Sequence, residues 1–270
     1  MEIKAILLGT GTPNIDPERS GPSVTIVVGD SVYIFDFGPG VVRRAIAAGI
    51  KSTSLTRAFL THLHSDHTVG YPDLIFTPAV EGRKEPLEVY GPKGITEMTN
   101  HIEEAYKVDV RERIDGLEPA IESGYAVNVH EITEGVVYKD RHIEIEAFLV
   151  DHGSLEAYGY KITTPDKTIV ISGDTCPSTN LIKHAMGCDI LIHEVYSAEG
   201  LKERPDDWIR YHSSVHTSTY ELAEIASKVK PKLLVLYHQL FWNRSEDEIV
   251  AEISSRYNGE IVSGKDLDVF

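Results

Sequence analysis

The chain has 270 residues, 41% hydrophobic and 25% charged, an ordinary globular composition that excludes a disordered or collagen-like chain and suffices for one large domain. Its 42 acidic against 26 basic side chains give a formal net charge of -16, so the average surface repels phosphate backbones and anionic membranes. Two cysteines, Cys176 and Cys188, exclude a disulfide framework; with no secretory leader pattern and no apolar run near bilayer length, a cytoplasmic protein without membrane contact is expected.

In chain order, short β-type runs are predicted at 4–8, 24–28 and 32–36, the last two joined by a turn at Gly29-Asp30-Ser31. A helix over 41–48 ends at Gly49, and a strand follows at 57–60. After a histidine-rich segment come a helix from Pro72, a strand at 87–90 and an amphipathic helix from about Ile95 to Lys107. The pattern then restarts. Strands are predicted at 126–132, 143–150, 158–163 and 168–172, then a helix over 178–186, a strand at 190–193, a helix at 218–229, a strand at 233–237, a helix at 245–255 and a last strand at 260–263. Hairpins followed by alternating helices and strands, twice over, predict an α/β fold of two mixed sheets with helices outside. No Ser-, Pro- or Gly-rich linker separates the halves, so residues 1–270 are expected to form a single domain.

Thr61-His62-Leu63-His64-Ser65-Asp66-His67 places three imidazoles and a carboxylate within a few residues after a predicted strand. In an extended segment His62 and His64 point to one side, and Asp66 and His67 follow as the chain bends toward a helix. Nitrogen and carboxylate donors without thiolate suit zinc best, with manganese or iron as alternatives, and the cluster is rich enough for two ions. A polar loop whose histidines merely cap the next helix is the competing reading.

The segment resembles the H-x-H-x-D-H signature of the metallo-β-lactamase fold superfamily, and later segments match in order: Val150-Asp151-His152-Gly153, Ser172-Gly173-Asp174-Thr175 and Leu236-Tyr237-His238-Gln239, each after a predicted strand, with Phe35-Asp36-Phe37-Gly38 upstream. The resemblance implies a four-layer αββα sandwich and a dinuclear centre. His62, His64 and His152 would hold one ion, Asp66, His67 and His238 the other, with Asp174 bridging and Asp36 supporting from behind. Two divalent ions, two aspartates and a bridging hydroxide would leave a centre of about +1, attractive to an anionic ester and able to supply the nucleophile near neutral pH.

Gly9-Thr10-Gly11-Thr12-Pro13 and His193-Glu194 resemble the branch containing ribonuclease Z, arylsulfatase-like proteins and cyclic-nucleotide phosphodiesterases. There the pair implies that His193 acts beside the ligand Asp66 in catalysis, bonding the leaving group or a ligating carboxylate, with Glu194 behind the metals; a buried strand-end His193 bonded to Glu194 or backbone is the alternative. His216, before Thr217, Ser218 and Thr219, either faces substrate or precedes and caps a helix. The long connection from 196 to 215 holds Tyr196, Trp208 and Tyr211 with Lys202, Arg204 and Arg210, and Trp242 follows His238; these aromatics form a substrate-facing lid, a satellite core or a subunit contact in a homodimer. Arg83 and Lys84 are left equally open. The basic arm with which ribonuclease Z clamps transfer RNA is missing between His152 and Asp174. With the acidic balance, this favours a small anionic ester, a phosphodiester first, over an RNA 3′-end endonuclease, an arylsulfatase or a lactonase. A non-enzymatic metal-binding or redox protein fits least.

Overall fold

The computed structural model describes residues 3–270, which fall into two compact units, one running to Ile132 and taking in Lys265–Phe270, the other spanning Thr133–Gly264. Each is a mixed sheet flanked by helices, the α/β architecture that the sequence predicts.

In the first unit β-branched and aromatic residues build an antiparallel meander of β1 (Ile3–Gly9), β2 (Ser23–Val28) and β3 (Ser31–Phe35). Helical crossovers then lay three parallel strands beside β3: α1 (Val41–Ala47) leads to β4 (Arg57–Phe59), α2 (Ser65–Thr68) and α3 (Tyr71–Val80) to β5 (Leu87–Gly91), and α4 (Ile95–Asp115) and α5 (Glu122–Tyr125) to β6 (Val127–Glu131). Ile34, Ala58, Leu60 and Val89 from the sheet pack against Val41, Ala45, Tyr71, Leu74 and Ile95 from the helices. The α4 helix runs further than its expected end at Lys107. Its apolar stripe continues through Val110 and Ile114, and its last turn is held by Arg113 bonded to Asp109 at 3.0 Å and Glu118 at 2.7 Å.

Lys265–Phe270 returns to this unit and covers the outer edge of β1, with Ala5 and Phe270 exchanging N–H···O bonds of 2.9 Å. The buried Asp266 carboxylate accepts bonds from Thr10 N (2.9 Å), Thr10 Oγ1 (2.8 Å) and Ser20 N (2.7 Å) and pairs with Arg44 at 3.1 Å.

The second unit repeats the plan. Three antiparallel pairings link β7 (Gly135–Lys139), β8 (Glu144–His152), β9 (Leu155–Thr163) and β10 (Thr168–Ile171), and three parallel ones add β11 (Ile190–Tyr196), β12 (Leu233–Leu240) and β13 (Ile261–Ser263). Its helices are α6 (Thr179–Ala185), α7 (Ala198–Leu201), α8 (Asp206–Val215), α9 (Thr219–Val229) and α10 (Glu246–Ser254), packed on the sheet through Leu181, Leu222, Ile225, Ala226, Ile249 and Ile253. Both α9 and α10 begin with a capping box, Ser218 with Glu221 and Ser245 with Glu248. The cap of α9 is therefore Ser218, which relieves His216 of that role.

Several short elements went unpredicted, β7 and the helices of the 196–215 connection among them. β7 is a short edge strand with Val136 exposed, too brief to announce a period. The 196–215 connection, expected as a loop, holds α7 and α8. The buried side of α8 is Ile209, His212 and Val215, so a histidine stands where the helical apolar pattern would show an aliphatic residue. Among the described residues no helix is long and apolar enough to cross a membrane.

Arg83, left open by the sequence, is structural. Its guanidinium is wholly buried after α3 and meets only carbonyl oxygens: Leu55 O at 3.0 Å, Leu74 O at 3.2 Å, Ile75 O at 2.8 Å and Gly124 O at 2.7 Å. Burial pushes its pKa down to about 10, so it stays charged at neutral pH and satisfies carbonyls of α3 and α5 that water cannot reach. Arg83→Met should lower unfolding free energy by about 3–5 kcal/mol, since several buried carbonyls lose a charged donor at once. Urea unfolding checks this; a loss below about 1 kcal/mol would contradict the role.

Candidate metal centre

In the first unit the donors arise where parallel strands end, the edge at which open α/β sheets place ligand sites. Asp36 follows β3 in a left-handed conformation, φ 59°, which a non-glycine residue adopts only when its surroundings enforce it. Three bonds do so: Oδ1 accepts from Thr61 N at 2.8 Å, and Oδ2 from Thr61 Oγ1 at 2.9 Å and His67 Nδ1 at 2.8 Å. The Asp36 loop reaches the 62–67 segment because Gly70 lacks a side chain; a Cβ there would lie 2.3 Å from Gly38 O.

This network fixes the tautomers. Thr61 gives its hydroxyl proton to Asp36 and accepts from His62 Nδ1 at 2.9 Å, while His67 Nδ1 donates to Asp36, so both rings present Nε2 lone pairs. His62 Nε2 faces His64 Nδ1 at 3.0 Å, and Asp66 Oδ2 lies 3.5 Å from His67 Nε2. The His62 and His67 ring centroids are 4.2 Å apart. Imidazole nitrogens this close, backed by acceptors on their far sides, suit a cation between them.

The second unit follows the same rule. His152 ends β8 with Nδ1 bonded to Val215 O at 2.8 Å, and burial holds its pKa below the ordinary histidine value. Asp174 follows β10 after Gly173, whose φ of 61° turns the chain. In β12, Tyr237 faces Glu194 and Gln239 faces Val195, so His238 is the extra residue of a β-bulge at φ 44°, its Nε2 3.4 Å from Asp174 Oδ2. Donor atoms of Asp174, His216 and His238, all buried, lie within 4.8 Å of one another. Asp174 and His238 are donors of the types that hold a divalent cation, and His216 stands beside them.

Glu194 explains the placement of His216. Its buried carboxylate oxygen accepts from His216 Nδ1, Thr217 N and Thr175 N, each at 3.1 Å. Sequence reasoning set His216 among substrate-facing residues and missed this pairing, which no spacing announces. His193 lies wholly buried in β11, its Nδ1 2.6 Å from Glu194 O and its Nε2 without a hydrogen bond; burial lowers its pKa. The alternative of a buried strand-end histidine describes what is seen.

The aromatics separate. Tyr196 and Trp242 pack with Leu201, Leu240 and Ile209 in a satellite core, whereas Trp208 and Tyr211 stay exposed on α8. His212 beside them is buried, and desolvation brings its pKa down to about 4, helped by the charges of His216 and Arg204. Cys188 is a core thiol, pushed up to about 12, and Cys176 is half-buried and likewise raised; neither suits a nucleophile or a metal ligand.

Comparison with known proteins agrees. The Beta-lactamase superfamily domain matches residues 33–239. Ribonuclease Z of Mycolicibacterium gilvum is 31% identical over 271 residues, covering 98% of this chain and 94% of its own. Among solved structures, the metallo-beta-lactamase fold protein YhfI from Bacillus subtilis has a TM-score of 0.76 at 18% identity, covering 100% of both chains, and the short form of human tRNase Z a TM-score of 0.74 at 22% identity, covering 99% of this chain and 98% of that one. With donors of the right kinds converging at strand ends, and a family match across most of its length, the chain belongs to the β-lactamase superfamily, in its ribonuclease Z-like branch, and is a metal-dependent hydrolase.

Proposed function

We propose that the chain hydrolyses small phosphodiesters in the cytoplasm at a dinuclear zinc centre, one ion held by His62, His64 and His152, the other by Asp66, His67 and His238, with Asp174 shared. The donor chemistry carries this: Thr61, Asp36 and Val215 O hold His62, His67 and His152 by Nδ1, which fixes the ring orientations with Nε2 as the atom each offers a metal. Donors without thiolate favour zinc over softer metals, and two free cysteines accord with a reducing compartment. Bound divalent ions supply Lewis acidity, lowering the pKa of water and offsetting charge on the phosphoryl oxygens.

The chain's own residues do the rest. Glu194 holds His216 by Nδ1, which makes His216 the group placed to give the departing oxygen its proton. We assign this step to His216 in place of His193, which is buried and bonded to its neighbour's carbonyl. Asp36 and Thr61 keep His67 and His62 from rotating.

For substrate size, the interval between His152 and Asp174 is filled by β9, β10 and their turns, with no room for a basic arm, and the net charge is -16. Ribonuclease Z activity is the second reading. The relative of that name is matched over 94% of its own length, so a chain of about this size carries the name.

Metal-loaded protein should contain about two ions per chain by elemental analysis, and Asp174→Ala should lose at least one with turnover falling by about 10³ or more. His216→Ala should keep its metal yet lower kcat by about 10²–10⁴, with Glu194→Gln weakening the same step less. Full activity in His216→Ala, or metal loss in it, would return the proton to another donor. Substrate class is decided by kcat/KM for bis(p-nitrophenyl) phosphate against precursor transfer RNA at about 0.15 M salt, where the small diester should be the better substrate. A tenfold preference for the RNA would install the second reading.

A further inference from the structure

Asp266 belongs to the segment that returns to the first unit, and its side chain is only 5% exposed. It divides its oxygens between the two ends of one loop: Oδ1 accepts from Thr10 N at 2.9 Å and Thr10 Oγ1 at 2.8 Å, while Oδ2 accepts from Ser20 N at 2.7 Å and pairs with Arg44 at 3.1 Å. Arg44 Nε also donates to Ser20 Oγ at 2.8 Å, and Arg19 to Thr10 Oγ1 at 2.7 Å, so the clasp is closed from both sides. The next residue, Leu267, stands at φ 74°, a conformation leucine avoids. A backbone so strained persists only where its surroundings hold it firmly.

Behind the clasp the main chain runs against main chain. Ser20 leads into Gly21, whose N donates to Pro39 O at 3.1 Å; Gly38 N donates to Pro22 O at 3.1 Å, and Phe37 N to His67 O at 3.0 Å. A Cβ on Gly38 would lie 2.5 Å from Gly21 C and 2.6 Å from Asp66 O, and one on Gly21 2.2 Å from Pro39 Cδ, so only glycine permits these approaches. Three loops are thus stitched edge to edge, with Asp266 at one end and Asp66 and His67 at the other. Asp66 needs such backing. It sits in α2, four residues long and without a side-chain cap bond, too short a helix to keep its own place.

We propose that Asp266 is a positioning residue for the metal centre: by clasping Thr10 and Ser20 it seats the Gly21 and Gly38 loops against α2 and so fixes the carboxylate of Asp66. This rests on the dinuclear reading and adds to it a residue that touches no ion. A ligand held in place binds more tightly than one that must be ordered at each binding event, so the residues behind a ligand set its affinity. His62 is held separately through Thr61, and His67 through Asp36. Opening the clasp therefore weakens the ion assigned to Asp66 and spares the one assigned to His62 and His64.

The test is zinc titration of the full chain against a competing chelator, with urea unfolding of the same samples. Asp266→Ala should bind one ion as the wild type does and the other about tenfold or more weakly, and Arg44→Met, which loosens the clasp from a partly exposed side chain, should weaken the same ion about threefold. In an Asp66→Ala background, adding Asp266→Ala should leave zinc affinity unchanged, because the ligand it positions is already gone. Arg83→Met destabilises the same unit from outside the stitched loops and should bind both ions as the wild type does. Wild-type affinity for both ions in Asp266→Ala and Arg44→Met, an equal loss in Arg83→Met, or a further loss in Asp66→Ala/Asp266→Ala each overturns the positioning and leaves the metal centre standing. A wild type that holds fewer than two ions overturns the dinuclear reading and the positioning together. Should Asp266→Ala fail to fold, the affinity of Arg44→Met decides.

Discussion

A carboxylate cannot be buried without being answered, and Asp36 is buried at the end of β3 with all its neighbours arranged to answer it. The donors that meet the carboxylate are the same groups whose orientation matters: Thr61 passes its hydrogen bond on to His62, and His67 contacts it directly. One desolvated charge thus sets the ring plane and tautomer of two imidazoles at once. Glu194 performs the equivalent service in the second unit, gathering His216, Thr217 and Thr175 on a single oxygen. Buried networks of this sort are costly when incomplete, which makes them rigid when complete.

The price appears in the backbone. Asp36 and His238 sit at positive φ, and His238 is an inserted bulge residue in an otherwise regular parallel pairing. Each such residue costs on the order of 1–3 kcal/mol, tolerable only where strands on both sides are locked by a packed core. Both cores supply that support: Phe35 and Phe59 stack within the first sheet, and Leu234, Leu236 and Val195 are fully buried in the second. Function therefore depends on the dull part of each sheet, the aliphatic run that ends where the donors begin.

Much of this was legible beforehand for a physical reason. The donors of the 62–67 segment are neighbours in sequence, and His152, Asp174 and His238 come where apolar strand runs end, so both groups stood out in the sequence. The parallel strands announced themselves as apolar runs. What stayed hidden was whatever depends on contacts distant in sequence: the pairing of Glu194 with His216, the carbonyl cage of Arg83, and the burial that divides Tyr196 and Trp242 from Trp208 and Tyr211. The α8 helix was masked differently, because a buried histidine reads as polar to any periodicity argument. His193 attracted attention by its neighbour's company in a motif; in the fold, alternation along β11 gives the carboxylate and the imidazole opposite sides of the sheet.

The segment that closes the first unit is made out of turn. β1 is synthesised early, but the residues that cover its edge, Lys265–Phe270, come after the whole of the second unit. Until they arrive, Ala5 and Leu7 present unpaired amides and carbonyls to any other extended chain, and Thr10, Ser20 and Arg44 lack the carboxylate of Asp266 that ties the loop between β1 and β2. The second unit is contiguous and can complete its own sheet first. On a ribosome the order of closure is therefore the reverse of the order of synthesis, and the period in which the β1 edge stands open lengthens with every residue of the unit inserted ahead of its cover.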